Sequence, residues 1–382
     1  MIWLLLLGIL PLLIWLYLLL GRGLYWLTRE CDDRQGPSLA LPQWPSVTAV
    51  VPARNEVDVI ARTIGSLLAQ DYPGAFRVIL VDDESDDGTA ATASALDGSG
   101  RLTVMTGPKR PVGWTGKLWA VSQGIARATE TDAPAYLWLT DADIAHAPET
   151  LRHLVARAQH DKRVLVSLMA KLHCTSWTER FYIPAFVYFF KMLYPFAWVN
   201  DPAARTAAAA GGCMLVRRAA LEAAGGIAQI RSAIIDDCAL GRVLKRQGPV
   251  WLGLTNRSVS IRPYAGAPEI RRMVARSAYA QLGYSPLLLL GTLLGLALVF
   301  LAPAAWAVLG PSGSWVAGAV AWALMAISFV PMAQFYDRSP LWGLALPAIA
   351  LLYALFTLDS AIQHWRGRGG MWKGRVQAMR QA

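Results

Sequence analysis

The sequence predicts an α/β domain on a mostly parallel, Rossmann-like sheet, with transmembrane helices at the N-terminal and C-terminal ends of the chain. Three observations carry that expectation. Hydrophobic residues make up 55% of the 382 and charged residues 16%, against roughly 25% charged in ordinary globular chains, and mean hydropathy is +0.35. Between residues 40 and 280, short β-branched runs alternate with helical stretches, the pattern of βαβ units. Long apolar runs flank that region on both sides. The composition excludes a disordered chain, a coiled coil and an ordinary soluble enzyme.

The first element is apolar from Ile2 to Leu20, and about 20 such residues span a bilayer core. Arg22, Arg29 and Arg34 follow, so residues 1–22 read as an anchor whose C-terminal side is cytoplasmic. A cleaved signal peptide is the competing reading, but no basic n-region precedes the apolar run.

In the 40–280 domain the strand runs are Val47–Val51, Arg77–Val81, Leu102–Met105 and Tyr136–Thr140. A helix starting near Glu56 places Ile60, Ile64, Leu67 and Leu68 at helical spacing. Pro73-Gly74 breaks the chain before the second strand. Phe181–Val199 is aromatic-rich and carries Lys191, which suits a helix lying in the membrane interface near 181–199.

From 286 to 361 three apolar segments follow, near 286–309, 315–333 and 341–361. The 362–382 tail carries Arg366, Arg368, Lys373, Arg375 and Arg380 and reads as cytoplasmic. Three crossings from a cytoplasmic domain would instead place it outside. Either one segment is re-entrant or the charge rule fails, and the crossing count stays open.

The net charge is +10. In a membrane chain that excess marks a cytoplasmic face or an anionic-lipid contact rather than a nucleic-acid footprint. Cys31, Cys174, Cys213 and Cys238 form no C-x-x-C pair, so neither a disulfide framework nor a zinc ribbon is indicated.

Five groups could carry chemistry. Pro52-Ala53-Arg54-Asn55-Glu56 joins a strand to a helix, where sheets of this kind bind ligands; Asn55 could equally cap the helix. Asp82-Asp83-Glu84-Ser85-Asp86-Asp87 packs five acids into six positions, which is self-repelling without a cation or donors, unless the loop is a solvated cap with Asp87 at the helix start. Thr140-Asp141-Ala142-Asp143 follows an apolar strand and can aim alternate carboxylates at one point, a hard donor set for Mg²⁺ or Mn²⁺. Asp236-Asp237 offers a carboxylate base, or two acids matched to a helix dipole. The basic set is Lys109, Arg110, Lys117, Arg271, Arg272 and Arg276. Gly113-Trp114-Thr115-Gly116-Lys117 fails the Walker pattern, yet a glycine-rich loop could still bring Lys117 to a diphosphate. Arg271, Arg272 and Arg276 suit lipid phosphates equally well. Dinucleotide, zinc-protease and hydrolase signatures do not occur, and the five histidines show no metal spacing.

Taken in order, these motifs resemble family-2 glycosyltransferases of the GT-A fold over about residues 45 to 280. The matching pieces are Pro52–Glu56, Asp82-Asp83-Glu84-Ser85, Asp141-x-Asp143, a Gly211–Val216 strand and Asp236-Asp237-x-x-Leu240. The membrane layout and the Gly113–Lys117 loop are similar to the bacterial hopanoid-biosynthesis-associated glycosyltransferases. The resemblance implies a UDP-sugar donor, a lipid acceptor, and a multi-pass protein of the bacterial inner membrane with its catalytic domain cytoplasmic. It implies that Asp83 contacts the uracil and that Pro52, Arg54 and Glu56 line the nucleotide pocket. Asp141 and Asp143 would handle ribose and metal, Mg²⁺ or Mn²⁺, with Asp143 the closer ligand. Lys117 and Arg276 would face the diphosphate. Asp237 would be the general base, assisted by Asp236. The family often carries Q-x-x-R-W; here Met273-Val274-Ala275-Arg276-Ser277 keeps only the arginine, which weighs against a processive polymerase.

Overall fold

The computed structural model describes every residue except Met1, Gln35, Ser99, Ser312, Lys373, Gly374 and 377–382, and omits the side chains of 2–7 and 371–376. The tail cations Lys373 and Arg380 therefore lie outside the described residues. The chain forms two compact units: an α/β unit of Arg29–His173 and Trp198–Arg262, and a helical unit of Met1–Thr28, Cys174–Ala197 and Pro263–Ala382. The sequence expectation of one domain over 40–280 changes accordingly. Segments 174–197 and 263–280 group with the helical unit, because their apolar side chains are buried among other helices there.

The α/β unit is an eight-stranded sheet in the order β3-β2-β1-β4-β7-β6-β8-β5. The four predicted strands are β1 (Val47–Ala53), β2 (Phe76–Asp82), β3 (Leu102–Thr106) and β4 (Tyr136–Leu139), all mutually parallel. The second half holds β5 (Ile144–His146), β6 (Leu165–Lys171), β7 (Met214–Arg217) and β8 (Val250–Ser260). Here β7 runs antiparallel to β4 and β6, and β5 antiparallel to β8.

All seven residues of β1 are buried, as expected for a strand covered on both faces. Its inward Val47, Ala49 and Val51 pack with Ile60, Ile64 and Leu67 of α2 (Val57–Leu68). Each of these valine, isoleucine and leucine side chains contributes roughly 1.5–3 kcal/mol on burial. The connecting helices of this unit are α3 (Thr89–Ser94), α4 (Gly116–Thr131), α5 (Thr150–His160), α8 (Arg218–Ala223) and α9 (Asp236–Lys245). On α4, a Cβ at Gly124 would stand 2.4 Å from Val50 Cγ1; glycine lets the helix lie directly on the sheet.

Register is what places the functional segments. Ala53 pairs with Asp82 and Val50 with Leu139, so β1, β2 and β4 end at one edge. Residues 54–56, 83–89 and 140–143 all emerge there. Because Leu139 also pairs with Met214 of antiparallel β7, the stretch before β7 joins the same edge. The predicted Gly211–Val216 strand thus begins only at Met214, and its two glycines lie in the approach to it.

The helical unit contains α1 (Ile2–Leu20), α6 (Trp177–Leu193), α10 (Ala267–Gln281), α11 (Pro286–Leu296), a π-helical turn (Ala297–Leu301), α12 (Ala302–Leu309), α13 (Ser314–Phe335), a 3-10 segment (Pro340–Ala345) and α14 (Leu346–Trp365). The short α7 (Phe196–Asn200) runs into the α/β unit. Among the described residues, Pro286–Leu309, Ser314–Phe335 and Pro340–Trp365 are long and apolar enough to cross a membrane, and Gly8–Leu20 is a shorter apolar helix. The segment read as one helix near 181–199 is α6 plus α7, parted at Tyr194-Pro195. Ser176 and Glu179 form a capping box at the start of α6. Tyr188 of α6 is buried between the hydroxyls of Tyr25 and Ser328, at 2.8 and 2.6 Å. Lys191 is fully buried and donates to Leu27 O.

Candidate active site

The acid-rich loop after β2 is held by donors. Asp82 Oδ2 accepts from Ser85 N at 3.1 Å. Asp87 accepts from Val57 N at 3.0 Å and from Thr89 N at 2.9 Å. Burial pushes the Asp87 carboxyl up, but hydrogen bonds from Thr89 and Val57 hold it below its ordinary range. Asp87 thus serves the first turn of α2 across the loop, and Gly88 rather than Asp87 is the N-cap of α3. Asn55 does not cap α2 either. Its Oδ1 accepts from Asp86 N at 3.1 Å, while its own N–H donates to Ser85 Oγ at 2.9 Å. These cross-links set the loop against the end of β1 and offset much of the acidic repulsion.

Asp83 is buried and pairs with Arg54 Nη1 at 3.8 Å. Arg54 also donates to the Asp83 carbonyl. Glu56, likewise buried, forms an ion pair with Arg262, whose Nε lies 3.2 Å from Asp143 Oδ2. Arg262 stands just past β8 and ties the end of β1 to the turn after β4. Sequence reasoning missed it, because an arginine before Pro263 carries no local signal.

Thr140–Asp143 is braced from beneath. Thr63 Oγ1 donates to Ala142 O at 2.8 Å. Thr140 Oγ1 donates to Gly212 O at 2.8 Å and lies 2.9 Å from His146 Nε2. Since the threonine proton is committed to Gly212, His146 Nε2 carries the hydrogen and Nδ1 accepts from Ser258 Oγ at 2.9 Å. Burial lowers the His146 pKa to about 3, so the ring is neutral and structural.

Lys117 is the centre of the other charged group. The sequence suggests a flexible glycine loop; Lys117 instead sits in the first turn of α4, whose N-cap Thr115 accepts from Leu118 N at 3.3 Å. Its ammonium lies 2.8 Å from Asp141 Oδ1 and 3.0 Å from Asp236 Oδ2. Burial alone would lower the Lys117 pKa; Asp141 and Asp236 outweigh it and hold the group charged.

Asp237 is next to this pair in the first turn of α9. Its Oδ2 accepts from Gly211 N at 3.0 Å and its Oδ1 from Cys238 N at 2.7 Å. Burial and the neighbouring Asp236 push its pKa up to about 6, against the lowering effect of Lys117. A Cβ at Gly211 would sit 3.3 Å from Lys117 Nζ and 3.5 Å from Asp237 Oδ2; the missing side chain keeps both groups accessible. Pro52, Lys117, Thr140, Asp141, Gly211 and Asp236 line a shallow, open cleft.

The α/β unit therefore gathers nearly all the predicted residues along one strand edge, as three neighbouring acid–cation groups: Asp83 with Arg54, Glu56 and Asp143 with Arg262, and Asp141 and Asp236 with Lys117. Arg276 is exposed on α10 of the helical unit. Among the described residues no three His, Cys, Asp or Glu side chains converge as a metal cage. Asp141 and Asp143 face different cations, Lys117 and Arg262, rather than one point; each is still a hard oxygen donor of the kind a divalent ion takes, with substrate phosphates completing the shell.

Comparison with known proteins agrees with this geometry. The model for "Glycosyl transferase family 2" matches residues 48–225. Two curated relatives come from Rhizobium meliloti (strain 1021). The succinoglycan biosynthesis protein ExoU is 43% identical over 60 residues, 15% of this chain and 17% of that protein. The succinoglycan biosynthesis protein ExoO is 34% identical over 120 residues, 31% of each. The chain thus matches less than a third of the length of either. Among solved structures, the mannosyltransferase PcManGT from Pyrobaculum calidifontis, in complex with GDP-Man and Mn²⁺, superposes with a TM-score of 0.55 at 19% identity, covering 94% of this chain and 95% of that one; this likeness speaks to fold. The α/β unit thus has the GT-A fold, and residues 48–225, just under half of the chain, are similar to the family-2 glycosyltransferases.

Proposed function

We propose that the protein is a membrane-bound inverting glycosyltransferase that moves a sugar from a UDP-sugar to the hydroxyl of a lipid, in hopanoid lipid biosynthesis. The observation that carries the catalytic reading is Asp237: a carboxylate with a pKa raised to about 6, beside the cleft that holds Lys117, Asp141 and Asp236. A base is most effective when its pKa lies near the working pH.

In this reading the acceptor hydroxyl lies against Asp237, which takes its proton as the oxygen attacks the anomeric carbon opposite the leaving diphosphate. Asp236 shares Lys117 with Asp141 and so couples the base to the donor pocket. Asp83 accepts from the imide of the base, with Arg54 fixing its carboxylate. Pro52 and Glu56 shape the floor of the nucleotide pocket. Lys117 supplies positive charge toward the diphosphate. Mg²⁺ or Mn²⁺ held by Asp143 and Asp141 would neutralise charge on the departing diphosphate.

The lipid acceptor rests on the apolar helices, and the hopanoid class on the resemblance of the membrane layout and the Gly113–Lys117 loop. The names of the two curated relatives favour a second reading, sugar addition during polysaccharide assembly. Mass spectrometry of total lipids from cells with and without the protein decides between them. Loss of one glycosylated hopanoid supports the first reading, and loss of a lipid-linked oligosaccharide the second. No change in any glycolipid refutes both. Donor preference is read by isothermal titration with UDP-sugars and with GDP-mannose, the nucleotide class seen in PcManGT.

A further inference from the structure

The geometry points to a re-entrant hairpin at Pro340–Trp365: this segment enters the membrane from the face on which α6 and α10 begin, turns at mid-depth, and leaves by the same face. Its length and composition alone would let it cross. Four features of the helical unit say otherwise.

Its beginning is tied to that face. Arg338, two residues upstream, donates from Nη2 to Cys174 O at 2.6 Å. Cys174 directly follows His173, the residue at which the chain leaves the α/β unit. Trp342 packs on Trp177 and Phe181 at the start of α6, with ring centroids 6.1 and 5.9 Å apart. Trp177 is 75% exposed, and tryptophans in such positions mark the bilayer interface.

Its end is tied to the same face. Arg271 of α10 faces Asp359 at 3.7 Å. Tyr279 N donates to Ser360 Oγ at 3.0 Å, and Tyr284 stacks on His364 with centroids 4.3 Å apart. The α10 helix follows Arg262 of the α/β unit with no apolar stretch between, and it carries Glu269, Arg271, Arg272 and Arg276. It cannot have crossed a bilayer, so Asp359–Trp365 lies on the face where α10 begins.

The middle is deep. The 3-10 segment doubles back along α13: Trp322 Nε1 donates to Leu344 O at 3.3 Å, and a Cβ at Gly343 would meet Ala326 O at 2.4 Å. Trp322 and Ala326 lie nine to thirteen residues before the Phe335 end of α13, which is ~14–20 Å along the helix axis. That is about half of a ~30 Å hydrocarbon core.

The return is short. Only thirteen residues of α14, Leu346–Leu358, precede Asp359, and they cover ~20 Å. Leu289 in the first turn of α11 packs with Ala361 and Tyr279, so α14 ends where α11 starts. The hairpin resolves the conflict between hydropathy and charge. Arg366 and Arg368 then share a face with the exposed arginines of α10, as the positive-inside rule requires, and together they present cations to anionic headgroups of one leaflet.

The test is sidedness of labelling in the full chain. The four native cysteines are buried, so added ones report. Arg368→Cys (tail), Glu130→Cys (α/β unit) and Leu309→Cys (the end of α12) are probed with a membrane-impermeant maleimide, in spheroplasts and in inverted vesicles. Arg368→Cys should react with Glu130→Cys and opposite to Leu309→Cys; reaction together with Leu309→Cys overturns the proposal. Spin-label depth gives a second, independent reading at the lipid-facing Leu341, Leu344, Ala348, Leu351 and Leu355. The hairpin places the deepest site at Leu344 or Ala348, whereas a crossing segment places it at Leu351 or Leu355, which would also overturn it.

Discussion

Replacing Asp237 by Asn removes the proposed base while keeping its size. The amide oxygen can still accept from Gly211 N or Cys238 N, now 3.0 and 2.7 Å from the carboxylate, but not both. One N–H loses its acceptor, at ~1–3 kcal/mol, so the fold should survive with a lowered melting temperature. Activity should fall much further, since a positioned base contributes ~10²–10⁴-fold. The wild-type pH profile gives a second handle. The base must be deprotonated, and its pKa is about 6. On that value roughly one-tenth of Asp237 is charged at pH 5 and about nine-tenths at pH 7. Hence kcat/KM should rise nearly tenfold across that interval and level off above it. The assay is nucleotide release from the donor with saturating acceptor, run on detergent-purified protein whose folding is checked by thermal melting. A variant that keeps more than about a third of the wild-type kcat/KM, or a wild-type rate flat from pH 5 to 7, would refute the assignment.

Lys117→Met removes the cation that lowers Asp237, so the acid limb of the rate profile should move to higher pH and donor KM should rise; an unshifted limb would contradict the coupling. Arg262→Gln should tighten Mn²⁺ binding at Asp143 about fivefold, taking ~1 kcal/mol for the lost half-exposed ion pair, as read from the spin-resonance signal of free Mn²⁺; unchanged affinity would separate Arg262 from the metal. His146→Ala should cost ~2–4 kcal/mol in denaturant unfolding of the α/β unit, from a cavity and two hydroxyls left short of a partner. The His146 pKa is lowered from 6.5 to about 3. Its contribution to stability is therefore full above pH 6.5 and lost as pH falls toward 3, and the variant should lose that slope.

The parallel half of the sheet is legible because its strands are continuous apolar runs and its helix shows a 3.6-residue period. Both patterns reflect burial, which the sequence records directly. The motifs after β1, β2 and β4 can be placed for the same reason: once a run is a strand, the residues directly after it stand at the strand's carboxyl end. The features that escape are set by contacts distant in sequence. Arg262 meets Glu56 across more than two hundred residues, and a solitary arginine before a proline has no local pattern. His146 looks like any of five histidines, since its role depends on Thr140 and Ser258. The Gly113–Lys117 stretch misleads because glycines suggest a loop, whereas Thr115 and its hydrogen bond to Leu118 start a helix. The domain boundary is hidden at α10, which has the mixed composition of a globular helix, and only its buried partners show which unit it belongs to.

The arrangement of charge links these observations to catalysis. Each acid proposed to meet the donor already faces a cation: Asp83 has Arg54, Asp143 has Arg262, and Asp141 has Lys117. Isolated carboxylates at this density would repel one another. The pairs offset that repulsion, and partly exposed pairs are weak enough to exchange. A diphosphate entering the cleft competes for Lys117 and releases Asp141 toward the ribose or a divalent ion. The same exchange draws positive charge away from Asp236 and Asp237, which raises the basicity of Asp237 as the donor seats. Donor binding would then prepare the base for the acceptor. The acid limb of kcat, reporting the donor-bound state, should therefore lie at higher pH than that of kcat/KM at subsaturating donor, which reports the free enzyme. Coincident limbs would mean that Lys117 keeps its carboxylates throughout the cycle.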